Sequence, residues 1–251
     1  MKPYYDRDGI TLYHGDCREI LPSLKADCVV TDPPYGLSGG GVSHGPSGSR
    51  SLDFFENDSL ADGFAHVDTL LSATRSLGCH SVYAWLGHQQ FAKATLAFEA
   101  DGWSTRFLVW SRECPAPPCP GAGWPSGASL CLYAYKPGRT WTPTPHDVPR
   151  SNVIVADSYR HGAPEKNGHP TQMRPVLVRE PIRCSSNVGD TILDPFTGSG
   201  TTLVAAKLEG RKAIGIEIEE RYCEIAARRL DQCAPLPFEE SERVEQAEMY
   251  P

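Results

Sequence analysis

Residues 191–202 read TILDPFTGSGTT, and no other run in the chain leaves so little choice of fold. A β-branched stretch ends in Asp194, passes through a turn with glycines at 198 and 200, and continues into a helical stretch from Thr201. Strand, tight glycine turn and helix in that order build one unit of a parallel α/β sheet. The glycines let the backbone approach a ligand closely, and the helix N-terminus behind them offers free N–H groups to an anion. A dinucleotide fingerprint would need a third glycine where Leu203 stands, and GxxxxGK[ST] is absent as well. The turn therefore suits a small nucleoside carrying a carboxylate better than a pyrophosphate. The next strand lies in KAIGIEIEE and ends at Glu217, 23 residues after Asp194. An acid about 20 residues on, at the tip of the adjoining strand, is placed to accept both hydroxyls of a ribose.

The same alternation runs through the rest of the chain. Strands are expected at Ile10–His14, Cys28–Thr31, Ser81–Leu86, Thr105–Trp110, Leu130–Tyr135, Ile192–Asp194 and Ala213–Ile216. Helices are expected at Arg18–Leu24, Ala61–Leu77, Gln89–Ala100, Val176–Cys184, Thr201–Glu209 and Glu219–Leu230. No apolar strand follows Leu230, so the third strand of the ligand-binding half must come from elsewhere. Ile10–His14, leading to Asp16, is available. The expectation is one circularly permuted, Rossmann-like, mostly parallel seven-stranded sheet with helices on both faces, Leu130–Tyr135 being its antiparallel member. Gly36–Arg50, Glu113–Gly127 and Pro137–Pro170 are irregular by composition, the last with one strand-like run at Asn152–Ala156.

Hydrophobic residues make up 40% and charged residues 22%, which excludes wholesale disorder. No apolar run approaches membrane-spanning length, and MKPYYDRDGI lacks the apolar core of a signal peptide. A cytoplasmic protein without a membrane partner is the expectation. The nine cysteines form no CxxC pair and read as reduced thiols. Cys114, Cys119 and Cys131 match no zinc spacing, so no metal is expected. The net charge of −7 argues against binding nucleic acid by bulk charge, yet the charge is uneven. Tyr133–Arg183 holds eight basic and four acidic residues, whereas ten acids and four arginines lie from Glu217 onward. A local basic face is compatible with this, and so is an unevenly charged solvated surface.

Residues 28–35 read CVVTDPPY, a buried strand delivering Asp32 at its carboxyl end. Two prolines stiffen the backbone there and leave it acceptors only. A carboxylate, a free Pro33 carbonyl and the Tyr35 ring together suit a planar amino group. The two oxygens accept its hydrogens, the ring stacks on the base, and the nitrogen lone pair is freed for attack.

DPPY, followed far downstream by DPFTGSGTT and GIEI, resembles the S-adenosylmethionine-dependent DNA amino-methyltransferases, in the order of the β class. The likeness covers most of residues 9–230 and is weakest at 36–60 and 111–168. It implies that Asp32, Pro33, Pro34 and Tyr35 are catalytic. It implies a methionine-binding turn of Asp194, Phe196, Thr197, Gly198, Ser199 and Gly200, with Pro195, Thr201 and Thr202 also in the cofactor set and Glu217 on the ribose. From HGDC it places Asp16 at the cofactor adenine, and it adds Cys17 and His169 to the cofactor set. The family's HPxxKP is here HPTQMRP, one residue longer, so the lysine's place falls on Met173 by distance and on Arg174 by adjacency to proline.

The function so implied is site-specific methylation of adenine N6 in double-stranded DNA, with the target base flipped out of the stack. Asp at the first tetrad position favours adenine; the alternatives are cytosine N4 methylation and a catalytically silent DNA-binding protein. Residues 1–232 would form one methyltransferase domain with a target-recognition insert at roughly 111–168, followed by an acidic tail at 233–251. Arg139, Arg150, Arg160 and Lys166 are candidate DNA contacts, as are Trp124 and Trp141. Trp85, Trp103 and Trp110 are expected in the core, and His66 and His88 as ordinary residues. A homodimer and a cognate restriction endonuclease are the further partners the resemblance leaves open.

Overall fold

The computed structural model describes residues 2–35, 60–112, 127–138, 151–157 and 173–233. Its elements are β1 (Tyr5–Arg7), β2 (Ile10–His14), α1 (Cys17–Ile20), a 3-10 turn at Leu21–Ser23, β3 (Cys28–Thr31), α2 (Leu60–Leu77), β4 (Ser81–Leu86) and α3 (His88–Ala100). There follow β5 (Ser104–Ser111), β6 (Ala128–Tyr135), β7 (Val153–Val155), α4 (Val176–Ser185), β8 (Thr191–Asp194), α5 (Thr201–Leu208), β9 (Lys212–Glu217) and α6 (Glu220–Gln232).

One sheet runs in the order β1-β2-β9-β8-β3-β4-β6-β5-β7. The seven expected strands are present, and β6 is antiparallel to both β4 and β5. The sheet has nine strands rather than seven. The two additions are β1, antiparallel to β2, and β7, the strand-like run, parallel to β5. Each is three residues long, too short to show a period of two, so only pairing with a neighbour defines it.

The N-terminal strand supplies the permutation. β2 pairs in parallel with β9, with His14 beside Glu217, and β9 pairs with β8. β8 in turn pairs in parallel with β3, and β3 with β4. The carboxyl ends of β2, β9, β8 and β3 therefore lie along one edge of the sheet, where ligands bind in open α/β folds.

β3 and β4 are buried along their whole lengths, as central strands covered on both faces are. Alternate residues serve opposite layers. Cys28 and Val30 pack with Leu177, Ile182, Leu203, Ala226 and Leu230 of α4, α5 and α6. Val29 and Val82 pack with Ile20, Leu70, Leu77 and Phe98 from α1, α2 and α3. Among the described residues no helix is long and apolar enough to cross a membrane.

Candidate active site

Asp194 ends β8 and is 3% exposed. Its carboxylate accepts the Thr31 hydroxyl at 2.7 Å and the Phe196 N–H at 3.1 Å, while the Thr197 hydroxyl donates to its carbonyl at 3.0 Å. Burial pushes the Asp194 carboxyl up to about 6, against the hydrogen bonds from Thr31 and Thr202. The chain then turns through the buried Pro195 into Gly198 at φ +52° and Gly200 at φ +83°. The Gly198 N–H donates to Glu217 at 2.7 Å and the Glu219 N–H to its other oxygen at 2.8 Å. Burial raises the Glu217 carboxyl, opposed by these two bonds.

The glycines have a second purpose that the sequence does not disclose. A Cβ on Gly200 would lie 2.8 Å from the Cβ of Ala226 in α6, so this glycine brings helix and turn together. Arg229 of α6 holds the turn from behind, donating to the Ser199 carbonyl at 2.5 Å, the Ser199 hydroxyl at 3.0 Å and the Thr201 hydroxyl at 3.1 Å. Leu203, at the absent third glycine, is fully buried against β9. Room for it comes from Gly215, where a Cβ would be 2.7 Å from Leu203 Cδ1 and 2.5 Å from Thr197 Oγ1. The close-approach glycine has in effect moved to the neighbouring strand, and the only sequence signal for it is a glycine inside a strand.

The pairing of β2 with β9 brings Asp16 to the same place, with the Gly15 N–H donating to the Glu217 carbonyl at 2.9 Å. Asp16 caps α1 through the Arg18 N–H at 2.8 Å and pairs with the Arg18 guanidinium, which holds its carboxyl below the usual range. Burial pushes the adjacent Cys17 thiol up to about 11, so it is a neutral group. Two residues here stand outside the sequence-derived set. His66 of α2 meets the Phe196 ring edge-on at 5.0 Å, and Ile218, next to Glu217, is 63% exposed. Neither carries a spacing signal: a lone histidine in a helix and a single apolar residue after a strand look ordinary in sequence.

Asp32 follows β3 directly and so lies at the strand end next to Asp194, with Thr31 bridging the two. It accepts the Tyr35 hydroxyl at 2.7 Å. Burial pushes the Asp32 carboxyl up to about 7; the Tyr35 bond opposes this and Asp194 adds to it. Burial also raises the Tyr35 phenol well above its usual range, so it stays a donor. The Arg112 guanidinium, whose charge weakly opposes that rise, lies 3.9 Å over the Trp110 ring and donates to Ser129 at 2.7 Å. Pro33 is buried, and the Pro34 carbonyl accepts a hydrogen bond from Gln90 at 2.8 Å.

Trp85 and Trp103 are buried in the core as expected, with Trp110 packed partly buried against it. Met173 is buried among core residues, and Arg174 donates to the Asp157 carbonyl at 3.0 Å. Part of the basic stretch is spent within the molecule. Arg179 and Arg183 pair with Glu209 at 2.5 and 2.7 Å, and Lys136 lies 5.0 Å over the Trp103 ring. His169, Arg139, Arg150, Arg160, Lys166, Trp124, Trp141, Cys114, Cys119, the 36–50 run and the tail from residue 234 lie outside the described residues. Among the described residues no group of His, Cys, Asp and Glu is arranged to hold a metal.

A permuted, mostly parallel sheet whose adjoining strand ends carry these acids around a glycine turn has the methyltransferase fold. Solved structures share it. The PvuII DNA methyltransferase (cytosine-N4-specific) superposes with a TM-score of 0.71 at 19% identity, over 97% of this chain and 93% of that one. M1.HpyAVI in its SAM complex superposes with a TM-score of 0.69 at 24% identity, over 88% and 99%. Residues 123–228 match the N6_N4_Mtase family, described as DNA methylase. The type II methyltransferase M2.DpnII of Streptococcus pneumoniae is 28% identical over 249 residues, 92% of each chain. M2.LlaDCHI of Lactococcus lactis subsp. cremoris is 29% identical over 252 residues, 93% of each. Over nearly its whole length the chain is thus similar to type II DNA methyltransferases.

Proposed function

We propose that this protein transfers a methyl group from S-adenosylmethionine to the exocyclic N6 of adenine in double-stranded DNA. The observation that carries the reading is the juxtaposition of Asp32 and Asp194 at neighbouring strand ends, joined by the 2.7 Å bond from Thr31. It sets an acceptor for an amino group beside the turn of a nucleoside site.

The residues fit that cofactor. Glu217 keeps lone pairs for a ribose beyond the two backbone N–H groups it accepts, Ile218 offers an exposed apolar side chain beside it, and Asp16 follows just past the end of the adjoining strand β2. When bound, the cofactor supplies an electrophilic methyl group. Asp32 and the Pro33 carbonyl accept the two hydrogens of the target amino group and orient its lone pair. As positive charge develops on nitrogen, the Asp32 carboxylate stabilises it, an interaction stronger in the transition state than before it. No strong base is needed, because the nitrogen loses its proton after transfer, when it is acidic. Tyr35 stacks on the flipped base. We assign residues 1–232 to the methyltransferase domain and roughly 111–168 to target recognition.

The test is incubation of the purified chain with duplex DNA and labelled S-adenosylmethionine, followed by nucleoside analysis. N6-methyladenine is the expected product. N4-methylcytosine would move the reading to the other base with a conjugated amino group, and an unlabelled digest would overturn it. Asp32→Ala should bind the cofactor like the parent yet lose at least about 100-fold in single-turnover rate, the scale of comparable electrostatic losses. An equally fast variant would reduce DPPY to a strand-ending turn.

A further inference from the structure

Pro33 and Pro34 have no N–H, so the middle of the tetrad can be held by backbone hydrogen bonds only through its carbonyls. One side chain from another element does this. Gln90, in the first turn of α3 and fully buried, donates to the Pro34 carbonyl at 2.8 Å and to the Gly63 carbonyl of α2 at 3.0 Å. Its own oxygen accepts the Gly87 N–H at 3.1 Å. The tetrad also rests against Gly87, whose Cβ, if it had one, would sit 3.7 Å from Tyr35 Cβ and the Tyr35 carbonyl.

Helix capping explains only one of these bonds. At this position in a helix a side-chain oxygen accepting the N-cap N–H is common, and glutamate serves as well as glutamine, with the helix dipole in its favour. The two N–H bonds to carbonyls are what an amide can make and a carboxylate cannot. A buried amide with its donors aimed at two different elements is a joint, and each bond is costly to leave unmade in the interior. One turn beyond Gly63, His66 of the same α2 touches Phe196 of the glycine turn at 5.0 Å. Gln90 therefore braces the tetrad against the helix that also borders the cofactor turn.

We infer that Gln90 is a positioning residue for methyl transfer: by engaging the Pro34 carbonyl it fixes the tetrad backbone with the Pro33 carbonyl and Asp32 facing the target amino group. The inference rests on the methyltransferase reading above. It acts on the chemical step and not on cofactor affinity, because none of the three bonds touches the Asp194, Gly198 or Glu217 cluster.

Two variants separate the roles. Gln90→Glu keeps an oxygen for the Gly87 N–H and loses both donors; Gln90→Met loses all three bonds at similar volume. Phe98→Leu loosens the same helix with no contact to the tetrad and serves as the stability control. Single-turnover transfer, calorimetric cofactor binding and thermal unfolding are measured on each beside the parent. Both Gln90 variants are expected to lose at least tenfold in transfer rate with cofactor Kd within twofold of the parent, while Phe98→Leu keeps its rate. A Gln90→Glu or Gln90→Met protein transferring at the parent rate overturns the inference. So does a rate that falls in step with cofactor affinity, or an equal loss in Phe98→Leu. A parent that binds the cofactor but methylates no base overturns the methyltransferase reading, and this inference with it.

Discussion

Asp32 is where function and stability pull apart. In the proposed mechanism its carboxyl must be ionised to accept an amino hydrogen strongly, yet burial raises its pKa to about 7. Between about pH 4 and 7 the folded protein holds a proton there that the unfolded chain has lost. Stability therefore falls as pH rises through that window, and the loss is complete above about 7. Asp194, raised to about 6, adds to the loss in the same direction. Asp32→Asn keeps the shape, removes the buried charge and should stabilise the protein at pH 8 by on the order of 2 kcal/mol, with almost no gain near pH 4. Urea unfolding at both pH values checks this; a gain independent of pH would mean the carboxyl is not perturbed. The acid itself was legible in CVVTDPPY, because a strand that ends in a carboxylate and two prolines has few other uses. Its elevated pKa was not, since that comes chiefly from burial among residues that only the fold brings together, with Asp194, far away in sequence, adding to it.

At the level of elements, the β8–α5 turn shows how much a motif leaves unsaid. The sequence shows two glycines and suggests close approach by a ligand. In the fold Gly200 also meets α6, and Leu203 depends on Gly215 in β9. Gly189 offers a clean comparison, since it has φ +88° and a Cβ added there would meet nothing within 4 Å. Gly189→Ala should cost only the left-handed conformation, about 1–2 kcal/mol. Gly200→Ala has the same strain and in addition drives a methyl into Ala226, for a further 1–3 kcal/mol or so. Paired denaturant titrations read the difference, and equal losses would show that α6 yields without cost. The long expected strands and helices all appear because apolar periodicity marks them. β1 escapes because three residues carry no period and exist only through their partner, while β7 shows in sequence as no more than a strand-like run until it pairs with β5.

Across the whole molecule, charge is the property that sequence counting describes worst. The surplus of basic residues between Tyr133 and Arg183 suggests a nucleic-acid face, yet Arg179 and Arg183 both close on Glu209, whose side chain is 9% exposed. Replacing either arginine with glutamine should therefore cost about 1–3 kcal/mol of stability, because a buried carboxylate loses a partner. It should leave the salt dependence of DNA binding unchanged. A slope reduced by about 0.9 for each arginine removed would instead mark them as phosphate contacts. Stability and binding titrations on the same two variants decide between these outcomes.

What the sequence determined by itself is what local pattern can encode. It set the α/β class, the two acid-tipped strands, the glycine turn, and the need for an N-terminal strand to complete the ligand-binding half. Tertiary structure decided which distant groups meet. It joined Thr31 to Asp194, set Gly215 beneath Leu203, turned Gln90 toward Pro34 and brought His66 to Phe196. The physical reason is that periodicity, turn chemistry and proline stiffness act within a few residues of the chain. Desolvation, hydrogen bonding between elements and close packing act between residues that only the sheet order brings together.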